Sequence, residues 1–288
     1  DGQVWLRAER TGNTAVAIDG NLPAAIDGAR HVFVEGTRVY GGSTLNMVAA
    51  HADAAAMSTT AAVAATREAL GLPTTDAAGD TRYHVRPHIE FRGEGDFSIA
   101  ATDLANFTYS GGSEAASLTV RAAGDLNVNG TLSDGFGRLT TSSQTIVLGA
   151  LADSGLTQSR FALGTRDTAW SIRLASGADL SASNALSLQT LDALTAADSG
   201  DLALAANTQV RTGAGDIEVA AGRDLVLGNR AAIYTAGYQV ARGAEFGTQT
   251  LLNLNGSGNR QAEYATDGGD VAVRAQRTIS ATEANGIV

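Results

Sequence analysis

The chain has 288 residues, 34 of them glycine, 3 proline and none cysteine, with a formal net charge of −10 at pH 7. Without cysteine, a disulfide scaffold, a thiolate zinc site and an iron–sulfur cluster are excluded, and apolar runs of only a few residues exclude a membrane-spanning helix. A hydrophobic content of 44% is that of a folded chain, and the acidic balance argues against nucleic acid, whose binders carry a basic face.

Abundant glycine with only 5% aromatic residues suggests many short strands and tight turns. All 20 basic residues are arginine. The chain opens on Asp1 with no basic-then-apolar leader, so it reads as a segment of a longer chain.

Residues 1–42 read as the first coils, with strands at Val4–Ala8, Ala15–Asp19 and His31–Tyr40. Residues 43–72 differ. Eleven alanines fall between Ser43 and Leu70, and alanine is the best helix former. One or two helices are expected, broken near Ser58–Thr60 and stopped by Gly71-Leu72-Pro73. This helical insertion is expected to lie over a flank or shield an edge, with Met47 and Met57 as packing residues.

Residues 73–288 continue the same coils, so the whole chain forms one domain. Several stretches share a template: apolar residues at offsets 0, 2 and usually 8, and a small residue at 4. Leu118, Val120, Ala122 and Leu126 fit it. So do Leu202, Leu204, Ala206 and Val210, then Ile217, Val219, Ala221 and Leu225, and Val271, Val273, Ala275 and Ile279. Ile172, Leu174 and Leu180 fit with Ser176 in the alanine slot, and Phe97, Ile99, Ala101 and Leu104 fit one residue short. Gly-Asp often precedes the template, as at Gly95-Asp96, Gly200-Asp201, Gly215-Asp216 and Gly269-Asp270.

Period-two alternation marks a strand with one buried face, and Gly-Asp is turn chemistry. Strands and turns spaced too closely for crossover helices describe stacked coils. The fold class is therefore all-β: a right-handed parallel β-helix, or β-solenoid, carrying an alanine-rich helical insertion. Ten or so coils at about 4.8 Å each would form a rod of roughly 50 Å. A β-sandwich or propeller is the competing fold, kept open by the hairpin-type pairs Asn129-Gly130, Asp134-Gly135 and Asn255-Gly256.

The stretches GEGDFSIAATDL, SLTVRAAGDLNVNGTLSDGF, GDLALAANTQVRTGAGDIEVAAGRDLVLGNRAAIYTAG and YATDGGDVAVRAQRTISA resemble the filamentous haemagglutinin-like exoproteins of two-partner secretion systems. The resemblance runs from about His84 to the C-terminus. It implies a β-helical shaft, an outer-membrane two-partner secretion transporter acting on the parent chain, and a role in adhesion at the surface of a Gram-negative bacterium. An N-terminal secretion module with Asn-Pro motifs is not seen, which places the segment inside or at the end of the shaft.

No catalytic constellation stands out. Most conspicuous aspartates sit in the recurring turn slot, whereas a catalytic pair of carboxylates should break the repeat. No enzyme activity, cofactor or metal is expected. His84 and His88, on an extended stretch about 13 Å apart, read as surface histidines. Arg121, Arg173 and Arg274 read as solvent-facing rungs. Asp267-Gly268-Gly269-Asp270 is isolated, without the tandem repeats that calcium coils need. Tyr234, Tyr238 and Tyr264 are candidate surface contacts for a glycan, or else cover the apolar ladder. The expected partners are a host or neighbouring-cell receptor or glycan, with self-association as the alternative and a carbohydrate-active enzyme as a third reading.

Overall fold

The computed structural model describes residues 2–11, 15–18, 20–72, 82–104, 107, 116–134, 138–141, 144–147, 169–194, 200–235, 250–251, 260–261, 268–282 and 286–287. Within them the chain is a parallel β-solenoid with three faces. The first sheet has eight strands, in the spatial order Ala15–Val16, Gly2–Thr11, Ala29–Gly41, Tyr83–Gly93, Ser117–Ala122, Ser171–Ser176, Ile217–Ala221 and Val271–Ala275. Only the N-terminal edge pair is antiparallel.

The second sheet stacks Phe97–Ile99, Leu126–Val128, Leu202–Leu204, Leu225–Leu227 and Ile279–Ala281. The third stacks Thr102–Asp103, Leu132–Ser133, Gln209–Thr212, Ala232–Thr235 and Gly286–Ile287. Among the described residues five three-sided coils result. Among the described residues, too, Arg138–Thr141 and Gln144–Val147 pair only with each other, and 177–194 lie outside the second and third sheets.

Stacking puts identical side-chain types in line. Ile89, Leu118, Ile172, Ile217 and Val271 form one apolar row, and Phe97, Leu126, Leu202, Leu225 and Ile279 form another. Apart from the last member of each row, all are buried. This is the period-two pattern of the sequence turned into a continuous core.

The sequence template occurs on two different faces. Leu118, Ile172, Ile217 and Val271 open it on the first sheet, while Phe97 and Leu202 open it on the second, in register with Leu126. The alanine slot follows suit. Ala122, Ser176 and Ala221 are buried at the first corner, whereas Ala101 and Ala206 are exposed at the second. Leu180 does not take the second-face position of its coil; Leu202 does, because an excursion from Ala178 intervenes.

The turn aspartates bond between coils. The Asp125 amide donates to Asp96 Oδ1 (2.9 Å), the Asp201 amide to Asp125 Oδ1 (2.9 Å), the Asp224 amide to Asp201 Oδ1 (3.1 Å) and the Thr278 amide to Asp224 Oδ1 (3.1 Å). Each carboxylate thus satisfies a backbone N–H of the next rung. Burial raises the Asp125 carboxyl against the pull of the Asp201 and Gly200 amides, while the Arg277 side chain holds Asp224 far below the usual carboxylate range. Asp125→Ala is expected to cost about 1–3 kcal/mol by stranding the Gly200 and Asp201 amides, and Asp125→Asn, which keeps a carbonyl oxygen, under about 1. Urea unfolding midpoints check this ordering.

Asn129-Gly130 is no hairpin. It turns the corner between parallel strands Leu126–Val128 and Leu132–Ser133. A Cβ on Gly130 would collide with the Ala101 backbone in the coil beneath, so Gly130→Ala should lower stability by about 1–3 kcal/mol, read as a fall in thermal midpoint.

The alanine-rich stretch forms helices α2 (Met47–Met57) and α3 (Thr60–Ala69), after a short α1 (Leu22–Ala25) that the sequence reading did not anticipate. The break falls at Ser58, and the Thr59 hydroxyl caps α3 by accepting from the Ala62 amide. Beyond Leu70, Gly71 takes φ +69°, with its amide bonded to Glu68 O and the Leu72 amide to Arg67 O. That paired arrangement is a Schellman stop. Met47, Ala50 and Ala54 of α2 enter the main core with Phe91, Phe97 and Leu104. Met57, Leu70 and Leu72 close a second core over Val32, Val34, Tyr83 and Val85. The helices fill the interior beneath the N-terminal strands, whose described residues reach the second sheet only through the Thr44–Ser98 bridge.

Candidate functional site: a buried charge row on the first sheet

Side chains alternate along a strand, so every apolar residue facing the core leaves a neighbour on the other face. On the N-terminal strands those neighbours are Trp5 and Arg7, then Phe33, Glu35 and Thr37, then His84, Arg86, His88, Glu90 and Arg92. They meet Thr119, Arg121, Arg173 and Glu218 from later coils.

Glu35 is fully buried. It accepts from Arg7 Nε (3.1 Å), Arg86 Nη2 (3.0 Å) and Arg173 Nη1 (3.1 Å). Burial by itself would raise its carboxyl, but the positive charges of Arg173, Arg86 and Arg7 hold it well below the usual value of 4.5. Arg173 also donates from Nε to Glu218 (2.8 Å). Burial works against its charge, yet Glu35 and Glu218 outweigh that and raise its pKa.

The aromatic rings brace the cations. Trp5 stacks on Phe33 with centroids 4.1 Å apart, and Phe33 on His84 at 4.6 Å. Arg173 lies 4.4 Å from the Trp5 centroid, and Arg86 covers both Trp5 and Phe33. His88 sits between two hydroxyls, Nδ1 to Thr37 at 2.8 Å and Nε2 to Thr119 at 2.7 Å. Burial keeps it well below the usual 6.5, so the ring is neutral. Glu90 takes Arg92 Nε (2.6 Å) and Arg121 Nη1 (3.1 Å), and Arg121 reaches on to the Asp179 and Ala182 carbonyls.

These contacts revise two expectations. His84 and His88 are buried, not surface residues. Arg121 and Arg173 are buried ion-pair members; Arg274 alone of the three is exposed, donating to Leu186 O. For the arginines the reason is that the excursion after Ser176 returns across this face: Arg121 reaches its Asp179 and Ala182 carbonyls, and Arg173 lines a cleft with Ser183 and Asn184. Tyr234 is half-buried on the third sheet and its hydroxyl lies 3.3 Å from Arg211 Nη1. Tyr238 and Tyr264 lie outside the described residues. The Gly268–Asp270 stretch holds a ladder bond, Asp270 N–H to Asp216 Oδ1, and no group of three or more metal-type ligands occurs among the described residues.

Sequence reading missed Glu35, Arg86 and His88 as a cluster. The available signal was the alternation itself: VFVEGTRVY and YHVRPHIEFR place polar groups at every second position on what become neighbouring strands.

Chemically, Glu35 and Glu90 are committed to guanidinium groups and are not disposed to transfer protons. The row holds the face together. It opens to solvent at a cleft of about 380 Å³ beside Trp5, Arg7, Arg173 and Glu218. Comparison with protein-family models, curated proteins and solved structures gives no match to this chain.

Proposed function

We propose that the chain is a structural and adhesive shaft segment of a secreted bacterial cell-surface exoprotein. Three sheets stacked in register, with polar side chains bonded from coil to coil, support a stiff element that carries binding surfaces away from a cell. In this reading a two-partner secretion transporter exports the parent chain, and a receptor or glycan on a host or neighbouring cell is the target. The in-register stack is the observation that carries the proposal. Beads coated with the full chain should adhere to cells under flow, and single chains pulled by their ends should resist force and unfold coil by coil. Absence of adhesion would remove the adhesive half of the reading; unfolding in one low-force step would remove the shaft.

A second reading, a self-associating filament or matrix component, is favoured by one observation. Among the described residues, Val271–Ala275, Ile279–Ala281 and Gly286–Ile287 each lie at one edge of their sheet, and Ile279 is 49% exposed. At the opposite end α2 fills the core, so association should stop at pairs. Light scattering is expected to give a dimer at most; long filaments would contradict the plugged end.

A further inference from the structure

The buried charge row leaves donors without acceptors at its open end. Glu35 receives bonds from three guanidinium groups, which occupies the lone pairs of one carboxylate. Arg7 spends only Nε on it, and Arg173 spends Nη1 on Glu35 and Nε on Glu218. Among the described residues, the terminal nitrogens of Arg7 and Nη2 of Arg173 have no protein acceptor, and both residues line the cleft. Arg7, Arg86 and Arg173 against Glu35 and Glu218 leave one positive charge in surplus, in a chain whose net charge is −10. A surplus cation in a cleft concentrates the field on an anionic group that enters it.

The rest of the lining defines the remainder of the ligand. At about 380 Å³ the cleft has the size of a small-molecule site, far larger than an inorganic ion needs. Around it stand the Glu218 carboxylate, an acceptor for hydroxyl groups, and the polar side chains of Ser183 and Asn184. Asn184 Oδ1 is used by the Leu186 amide, which orients the side chain within its loop. A planar fork for a carboxylate, next to separate hydroxyl partners, is the complement of a sugar acid.

We propose that this cleft binds a uronate-type acidic sugar, its carboxylate on Arg7 and Arg173 and its hydroxyls on Glu218, Ser183 and Asn184. The site belongs to the flank of the solenoid and does not depend on the shaft reading.

The chain has two tryptophans, which supplies the probe. Trp5 borders the cleft and Trp170 is buried, 3% exposed, outside its lining. Titrating the full chain with glucuronate should shift the Trp5 indole N–H resonance and leave Trp170 in place. Arg7→Gln should weaken binding about tenfold or more, the loss of a charge-assisted hydrogen bond. Asn184→Ala, on an exposed loop position, should weaken it several-fold with unchanged thermal midpoint, so the result stands even if Arg7→Gln loosens the fold. Arg230→Gln, exposed and outside the cleft lining, should bind as the parent does. Glucose or acetate binding as tightly as glucuronate, no Trp5 shift at tens of millimolar, or unaltered binding by both Arg7→Gln and Asn184→Ala would each overturn the proposal.

Discussion

Glu35→Ala should destabilise the protein by about 3–5 kcal/mol, the range for breaking a buried ion pair by removing one partner. The substitution leaves Arg86 and Arg173, each with a side chain 4% exposed, facing one another without their shared carboxylate. Glu35→Gln keeps the shape but not the charge and should fall in the same range. Unpaired charge, not lost volume, is the cause. A triple variant with Glu35→Leu, Arg86→Met and Arg173→Leu should therefore recover most of the loss. If it proves less stable than Glu35→Ala, the row stabilises through packing and the account fails.

The same residues set a pH dependence. In the unfolded chain His88 takes a proton near its usual 6.5, and the native site refuses it. Unfolded chains then hold more protons than native ones, so stability falls as pH drops below about 6.5. Glu35 acts in the same direction at lower pH. Its contribution is complete above the unfolded value near 4.5 and is lost as pH falls through its depressed native value. Urea midpoints should decline in two stages on acidification. His88→Gln should flatten the upper stage and Glu35→Gln the lower; constant parent stability from about pH 7 to 5 would contradict the His88 assignment, and no further decline below about pH 4.5 the Glu35 assignment.

Ala54→Asp should be comparably severe and confined to one end. Ala54 is fully buried in α2 and packs into the apolar main core, where a carboxylate would lose its hydration. A cost of about 3–5 kcal/mol is expected. In a solenoid each coil leans mainly on its neighbours, so the damage should be graded. Amides of residues 83–104, beside the helix, should lose hydrogen-exchange protection, while those of residues 202–233 keep most of theirs. Val48→Asp on the same helix, at a position 76% exposed, should cost less than about 0.5 kcal/mol. Uniform loss of protection along the chain would mean that the helix is not a local plug.

Legibility in the sequence tracked the range of the physics involved. Ile172, Leu174 and Ile217, Val219 announce their strands because alternation is a property of five consecutive residues. The α2–α3 break and the Gly71 stop were equally readable, since caps are made within one turn. Phe97 and Leu202 were placed in the wrong phase. A turn followed by a short half-buried strand has the same pattern on any face, and only stacking on Leu126 decides which one.

The candidate site was legible as parts only. Glu35 and Arg173 are 138 residues apart, and no local rule links them. Tyr234, the one predicted contact that is described, lies on the third sheet, away from the cleft lining.

By itself the sequence determined a chain of short strands and glycine–aspartate corners with one alanine-rich helical insertion, because propensity, alternation and capping are local. Only the tertiary structure decided which strands share a face, that the aspartates bridge coils, and that Arg121, Arg173, His84 and His88 are buried. Register and burial are set by whatever segment crosses the sheet, and the excursion after Ser176 that crosses this one carries no mark of its destination.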